Sequence, residues 1–440
     1  MRTMTKTGYL RCEVCAKVTQ VKIEVGYLDA FPLYVNCGHC GTLFSGRYAK
    51  NDEEVTASAV FRNATEIDAS EADTVDYFCD ASGELIMRKV APAQRAADLM
   101  VPPVWMAFHR RLGPNGMKAL FGRMVELHRT VNGPAAHEWS RVLDLWFNGK
   151  HAYLSAQLAD VLDGTPLAGP VSAGRYVQAI RKLTRTLFAP LYGSERNGEF
   201  VRRVSASLRT LKITREAGLK AYLRRLHEMG LFDSCEKIAY GQLRNGLGRF
   251  EQLIPAFTLS ELTDAERAAL FAPDSAYGMT TLSFEDIKFL YVDLFESVVK
   301  VLPVIVGLNN LLHRGSHHAF LNGGATGKKT SVSSLEQYVD LYTAADKMKL
   351  IDYGEAFSVA MHGELNNKLR NAIGHYAYRY DSLEQKIVYD NGRKVMSLLQ
   401  FGYGCYELIL TLLDLFDLTM FLHEVHDHYF PDENVSNNVI

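Results

Sequence analysis

Cys12-Glu-Val-Cys15 and, 21 residues further on, Cys37-Gly-His-Cys40 are the stretches that decide the fold of the N-terminal part of this chain. Two Cys-x-x-Cys pairs at this separation leave room for a hairpin that brings four thiols around one tetrahedral ion. A redox-active pair is the alternative, but two pairs without a neighbouring βαβ pattern disfavour it. Cys12, Cys15, Cys37 and Cys40 are therefore predicted to bind a structural zinc ion, with no coordination position open for chemistry.

Residues 1–50, which surround these cysteines, have the pattern of a small β module, a zinc ribbon. KVTQVKIEVGYL (17–28) alternates β-branched and polar residues, and the glycines that follow Cys37 and Cys40 allow tight turns. The composition stays strand-like beyond residue 50. This composition is compatible with further strands that extend the zinc ribbon to residue 90.

Residues 91–275 are predicted to form a helical middle region. Apolar residues recur three and four positions apart in PAAHEWSRVLDLWF (134–147) and HAYLSAQLADVLDG (151–164). The segment 171–226 holds 13 Lys or Arg against three acidic residues, whereas the rest of the chain holds 35 against 47. This basic segment is expected either to contact a phosphate backbone or to be the solvated face of a helical pair.

Residues 276–440 are predicted to form a four-helix bundle with a β-hairpin before its last helix. The helical candidates are 283–312, 334–350, 353–378 and 402–428. Between the third and the fourth, Asn391-Gly392 lies within KIVYDNGRKVMSL (386–398), where it predicts a two-residue hairpin turn. The fold class expected for the whole chain is mainly α.

The composition is that of an ordinary globular chain. A hydrophobic content of 48%, a charged content of 22% and a formal net charge of −2 exclude the disordered and membrane-embedded classes. No stretch approaches the roughly 20 apolar residues that cross a bilayer, and the N-terminus lacks the apolar core of a signal peptide. We therefore expect a cytoplasmic protein with no membrane partner, in which Cys79, Cys235 and Cys405 are buried thiols.

A second pattern, Leu369-Arg-Asn-Ala-Ile-Gly-His375, lies near the end of the third helical candidate. Arg370 offers a planar donor fork for a phosphate, Asn371 an amide, and His375 a group that exchanges a proton near neutral pH. These groups suffice for metal-independent RNA cleavage, in which a base takes the ribose 2′-OH proton and a cation stabilises the developing charge. On an ideal helix, residues five apart project about 140° apart, so Arg370 and His375 would point in different directions. Gly374 is expected to permit an end or a kink of the helix between them. The alternative is a helix-terminal Arg and His that bond locally.

Arg370-Asn371-x-x-x-His375 resembles the R-x4-6-H signature of the HEPN superfamily, including the polar residue directly after the arginine. The resemblance covers roughly residues 276–430. It implies a bundle that forms a homodimer or a larger even assembly, in which the motifs of two protomers build one composite RNA-cleaving site without a catalytic metal. Arg370, Asn371 and His375 are its implied catalytic residues. It also implies a toxin or effector of bacterial defence against phage, with an antitoxin or another defence protein as partner.

Two other functions stay open at the level of sequence. In the first, the protein is a non-catalytic nucleic-acid-binding or regulatory module whose bundle only dimerises while the ribbon recognises a partner. In the second, the ribbon binds DNA, which its few basic residues disfavour.

Because the zinc site and the motif are more than 300 residues apart, zinc removal is expected to impair targeting or solubility before catalysis.

His423-Glu-Val-His426-Asp-His428, close to the C-terminus, misses the HExxH spacing of zinc proteases by one residue. We interpret it as a solvated helix terminus, with metal binding as the alternative.

Overall fold

A computed structural model describes residues 4–51, 56–72, 74–93, 103–158, 173–191, 194–327, 331–363 and 365–431. Its strands are β1 (Met4–Cys12), β2 (Val18–Val25), β3 (Ala30–Asn36), β4 (Leu43–Asn51), β5 (Thr56–Arg62), β6 (Ala64–Ile67), β7 (Tyr77–Ala81), β8 (Met87–Arg88), β9 (Ala91–Pro92), β10 (Tyr277–Gly278), β11 (Arg379–Asp381), β12 (Lys386–Tyr389) and β13 (Lys394–Ser397).

Its α-helices are α1 (Pro103–Asn132), α2 (Pro134–Phe147), α3 (His151–Leu158), α4 (Ala173–Phe188), α5 (Ser194–Thr214), α6 (Glu216–Glu228), α7 (Leu231–Leu247), α8 (Phe250–Leu259), α9 (Asp264–Phe271), α10 (Phe284–Asn309), α11 (Leu335–Val339), α12 (Ala344–Met348), α13 (Asn367–Gly374) and α14 (Leu398–Tyr429). The predicted mainly α fold class is confirmed.

The chain forms two compact units, and each is assembled from separate segments of the sequence. Unit 1 comprises Met1–Arg129, Gly248–Val292 and Lys368–Tyr406. Unit 2 comprises Thr130–Leu247, Asp293–Asn367 and Glu407–Ile440. Unit 1 therefore contains both the paired cysteines and the motif that ends at His375, although hundreds of residues separate them in the sequence.

Unit 1 contains the N-terminal strands, arranged in two sheets. One sheet has the order β6-β1-β2-β7-β9, with β2 and β7 parallel, and the other has the order β3-β4-β5. Alternate residues of β3 are buried, as expected for a strand with one face on a core. Phe31 of β3 stacks on Tyr48 of β4 with ring centroids 4.6 Å apart, and the Tyr34 amide donates to Thr280 O at 2.7 Å. The hydrogen bond from Tyr34 therefore joins β3 to the segment before α10.

Unit 2 is built around helices that share an aromatic centre. Trp139 of α2 is fully buried and makes edge-to-face contacts with Phe188 of α4 and Tyr240 of α7, each with centroids 5.3 Å apart. Its indole Nε1 donates to Thr184 Oγ1 at 2.9 Å, which satisfies the one polar group of the ring. The periodic apolar residues of 134–147 thus form a core face, as the sequence indicated.

Two of the four long helices predicted for the C-terminal third are continuous. α10 and the π-helical turn that follows it (Asn310–Arg314) cover the candidate 283–312, and α14 covers 402–428. The prediction of single helices over 334–350 and 353–378 was wrong. The first is divided into α11 and α12 because Thr343 caps a new helix by accepting from the Asp346 amide. The second holds only a 3₁₀ turn (Ala356–Ala360) and the short α13.

The predicted hairpin is present, but its turn is longer than predicted. β12 and β13 pair antiparallel, and their last paired residues, Tyr389 and Lys394, are joined by four residues rather than two. Asp390, Asn391 and Gly392 all have positive φ, at 52°, 55° and 82°. β11 adds a third strand to this sheet, in the order β11-β12-β13.

Among the helices of the described part of the chain, we find none with the combination of length and apolar character that a bilayer span requires.

Candidate functional site

The four paired cysteines converge in unit 1 at the ends of two strands. Cys12 is the last residue of β1, and Cys37 follows β3 directly. The sulfur atoms all lie within 4.8 Å of one another, with Cys12–Cys40 at 3.6 Å and Cys15–Cys37 at 3.5 Å. Tetrahedral zinc with Zn–S bonds of about 2.3 Å places its sulfurs about 3.8 Å apart. Number, chemistry and spacing of these donors therefore fit one zinc ion.

The surroundings of two of these thiols shift their pKa values in opposite directions. Burial raises the pKa of Cys37 to about 12, whereas a hydrogen bond from Thr42 lowers the pKa of Cys40 to about 6. Among the residues that the structure describes, these four cysteines are the one group of metal-binding side chains close enough to share an ion.

The two cysteine turns have the same backbone geometry. The Ala16 amide donates to Cys12 O at 2.9 Å, and the Gly41 amide donates to Cys37 O at 2.9 Å. The residue after the second cysteine is left-handed in both turns, with φ of 60° at Ala16 and 73° at Gly41. Glycine adopts this conformation without steric cost, whereas alanine does not.

Substitutions at these equivalent positions are expected to have opposite effects. Ala16→Gly should raise the free energy of unfolding by about 1 kcal/mol, because it removes the strain of a Cβ in the left-handed region. Gly41→Ala should lower the free energy of unfolding by a similar amount. The added Cβ would lie 3.7 Å from Ser382 Oγ, which is an ordinary contact, so the strain of the left-handed backbone is the main effect. Chemical denaturation of the zinc-loaded protein measures both changes. Equal stability of the two variants would contradict this explanation.

The remaining cysteines are buried thiols, as the sequence predicted. Cys79, Cys235 and Cys405 are at most 1% exposed, and burial raises the pKa of each. Such thiols are poor nucleophiles.

The motif that ends at His375 lies on the short helix α13 in unit 1. Leu369, Ala372 and Ile373 are buried and anchor the helix, while Arg370 is partly exposed and His375 is exposed. Arg370 Nη1 donates to Asn371 Oδ1 at 2.8 Å. One face of α13 therefore packs on the core, Arg370 and Asn371 are partly exposed, and His375 at the end of the helix is exposed.

The end of α13 determines how His375 is presented. The helix ends at Gly374, one of the two outcomes that this glycine was expected to permit, and the His375 amide still donates to Asn371 O at 3.0 Å. The chain reverses at Tyr376, which has φ of 54°, rather than at Gly374. The Tyr376 amide donates to Ile373 O and the Ala377 amide to Ala372 O, the pair of bonds that defines a Schellman cap.

Two of the three histidines near the end of α14 contradict the interpretation as a solvated terminus, whereas His428 is exposed as predicted. His423 and His426 are buried, together with Asp427, in unit 2. His423 Nδ1 lies 2.9 Å from Glu236 Oε1 of α7, and its ring stacks on Phe232. Sequence reasoning missed this because the partners come from α7, almost 190 residues earlier in the chain.

The charge of His423 links the stability of unit 2 to pH. Burial by itself would lower the pKa of His423, but Glu236 and Asp427 raise it to about 9. An unfolded histidine titrates near pH 6.5. Because the folded pKa is higher, the stabilisation from this pair is complete below about pH 6.5 and is lost as the pH rises through 9.

Glu236→Gln tests this pair because it keeps the volume and removes the charge. We expect it to lower the free energy of unfolding by about 3 kcal/mol at pH 6.5. The variant and the wild type should become more alike in stability as the pH approaches 9.5. Thermal unfolding at both pH values measures the loss of stability in the variant. If this loss is the same at both pH values, it does not come from the charge of His423.

Most of the described residues of the basic segment 171–226 are helical and lie on α4, α5 and α6. Part of its charge is neutralised within unit 2, since Arg185 Nη2 lies 2.7 Å from Asp417 Oδ2 and Arg225 contacts Glu336. Exposed basic residues on α5 include Arg209 and Lys212. Phosphate contact by this segment stays a prediction.

A buried histidine–carboxylate pair in unit 2 was also missed. His362 Nε2 lies 2.7 Å from Asp414 Oδ2 of α14, and the His362 amide donates to Thr411 Oγ1. No local pattern in the sequence could have revealed it, because the partners are 52 residues apart.

No protein-family model, no curated protein and no solved structure matches this chain. The chemistry of the site is therefore inferred from its own residues.

Proposed function

We propose that this chain is a metal-independent endoribonuclease of HEPN type, with the residues of α13 and its C-terminal end as its catalytic centre. One observation carries the proposal: Arg370 is bonded to Asn371 on α13, while His375 is exposed at the helix end. A guanidinium oriented by a neighbouring amide is a preorganised donor for phosphate oxygens. An exposed imidazole is accessible to a ribose hydroxyl.

The reaction uses groups that this chain supplies. His375 accepts the proton of a ribose 2′-OH, and the 2′ oxygen forms a bond to the adjacent phosphorus. The bond from phosphorus to the 5′ oxygen of the next nucleotide breaks, that oxygen takes a proton from water, and His375 returns the proton it accepted to the solvent. Arg370 stabilises the negative charge on the phosphoryl oxygens, and Asn371 orients the guanidinium. The products carry a 2′,3′-cyclic phosphate and a 5′-hydroxyl.

The angle between Arg370 and His375 supports a composite site. The His375 amide keeps its helical bond to Asn371 O, so the turn continues as far as His375. Residues five apart on a helix project about 140° apart. One copy of α13 would therefore direct only Arg370 or only His375 to a given phosphate. A second copy would supply the other group. We therefore propose a homodimer or a larger even assembly.

The zinc ion that the four cysteines would hold has a structural role in this proposal. Four thiolates complete a tetrahedral shell and leave no position for water or substrate. In the cell, we propose a cytoplasmic toxin or effector of anti-phage defence, restrained by an antitoxin or another defence protein.

Cleavage of single-stranded RNA in EDTA tests the activity. EDTA is kept at a level at which metal analysis still finds the zinc bound, so the fold is intact. We expect cleavage with 2′,3′-cyclic phosphate and 5′-hydroxyl ends. A requirement for Mg²⁺, or 5′-phosphate ends, would contradict the mechanism. RNA binding without cleavage would favour the non-catalytic alternative.

A further inference from the structure

Tyr376, the residue after His375, occupies a backbone position that favours glycine. Its φ of 54° is left-handed, and it stands at the site in the Schellman cap where glycine is usual. Gly374, two residues earlier, does not have a positive φ. Non-glycine residues in this region are strained and occur preferentially at functional sites. A tyrosine at this position therefore carries a backbone strain that glycine would not.

The ring of Tyr376 lies in solvent beside a second exposed ring. Tyr376 is 69% exposed, and Phe289 of α10 is 44% exposed. Their centroids are 6.2 Å apart and their planes are inclined by 70°. Exposed faces of two large aromatic rings do not contribute to a core, but they are available to stack on a planar ligand.

Lys288 holds these rings in place. Its ammonium lies 5.2 Å from the Phe289 ring centroid and 6.0 Å from that of Tyr376. The same ammonium donates to Tyr378 Oη at 2.9 Å and pairs with Glu285. Because Lys288 itself is only 8% exposed, the aromatic pair rests on a fixed cation rather than on a mobile one.

We propose that Tyr376 and Phe289 form a stacking platform for an unpaired base of single-stranded RNA. The platform adjoins His375 directly in sequence, so a base stacked on it would have a neighbouring phosphate near His375, and in the composite site the second copy would supply Arg370. A base within a duplex is covered on both faces and cannot stack on a protein ring. The proposal rests on the ribonuclease function and adds the two rings that would hold an unpaired base of the substrate.

Binding by Tyr376 variants tests the platform, measured in the His375→Ala background so that no RNA is cleaved. The probe is a single-stranded oligonucleotide of adenosines with one 2-aminopurine, whose fluorescence is quenched on stacking. Tyr376→Gly should weaken binding by about 5- to 100-fold and abolish the quenching. Tyr376→Phe should retain both. An abasic oligonucleotide of equal charge should bind all variants alike.

The stability of the same variants separates a stacking role from a structural one. Tyr376→Gly relieves the left-handed strain, so its melting temperature should equal or exceed that of the wild type. Tyr342→Ala, at a fully exposed tyrosine of unit 2, is the control and should bind as the wild type.

The outcomes that overturn the platform differ from those that overturn the nuclease. Unchanged RNA binding by Tyr376→Gly would overturn it, as would a loss in Tyr376→Phe equal to that in Tyr376→Gly. Self-association that depends on Tyr376, with no RNA binding, would assign the rings to a contact between copies and also overturn it. RNA stacking by a protein that never cleaves RNA would leave the platform standing and refute the ribonuclease alone.

Discussion

His375→Ala is expected to lower the rate of RNA cleavage by about 10²- to 10⁴-fold, because it removes the group that accepts the 2′-OH proton. His375 is exposed beyond the end of α13, so its truncation should leave the melting temperature within about 1 °C of the wild type. Cleavage of a labelled single-stranded RNA under single-turnover conditions measures the effect. His137→Ala, at an exposed histidine of α2 in unit 2, is the matched control and should retain full activity.

Mixing of two inactive variants tests the composite site directly. Arg370→Ala should also be inactive, because the phosphoryl charge is then unopposed. In a mixed dimer, one chain supplies His375 and the other supplies Arg370, so mixing the two variants should restore part of the activity. Full activity of folded His375→Ala would refute the catalytic role, and absence of complementation would refute a site shared by two copies.

Loss of zinc is expected to have the largest effect on stability. Binding free energies of structural zinc sites reach about 10 kcal/mol or more. Here this free energy would stabilise the cysteine cluster at the ends of β1 and β3. Cys37→Ala should therefore lose the zinc and unfold unit 1 at a markedly lower temperature. Metal analysis and thermal unfolding measure both effects. Cys79→Ala, at a buried cysteine outside the cluster, should keep one zinc per chain.

The structure also changes the expected effect of zinc loss on activity. The sequence suggested that targeting or solubility would suffer before catalysis, because the cysteines and the motif are far apart along the chain. Both lie in unit 1, where the Tyr34 amide joins β3 to Thr280, just before α10. We therefore expect RNA cleavage to fall in parallel with the unfolding of unit 1 during chelation. Full cleavage by a zinc-free protein would contradict this coupling.

Local signals predicted the features that depend on neighbours in sequence. Cys-x-x-Cys pairs close a turn within four residues, and long apolar periodicity predicted α10 and α14. The breaks in the two intermediate helices were missed, because polar caps such as Thr343 compete with a moderate helical pattern. The length of the hairpin turn was missed because Asp390 adopts a left-handed conformation that Asn-Gly alone does not predict.

By itself, the sequence determined the four cysteines that cluster, the mainly α fold class and the identity of the groups at Arg370, Asn371 and His375. Tertiary structure alone decided that these groups and the cysteines share unit 1, that His423 is buried against Glu236, and that Tyr376 rather than Gly374 reverses the chain. The physical reason is the separation in sequence between the residues that interact. Ligand spacing and helical periodicity are set by bonds within a few residues, whereas burial, pairing and backbone strain depend on segments that meet only when the chain has folded.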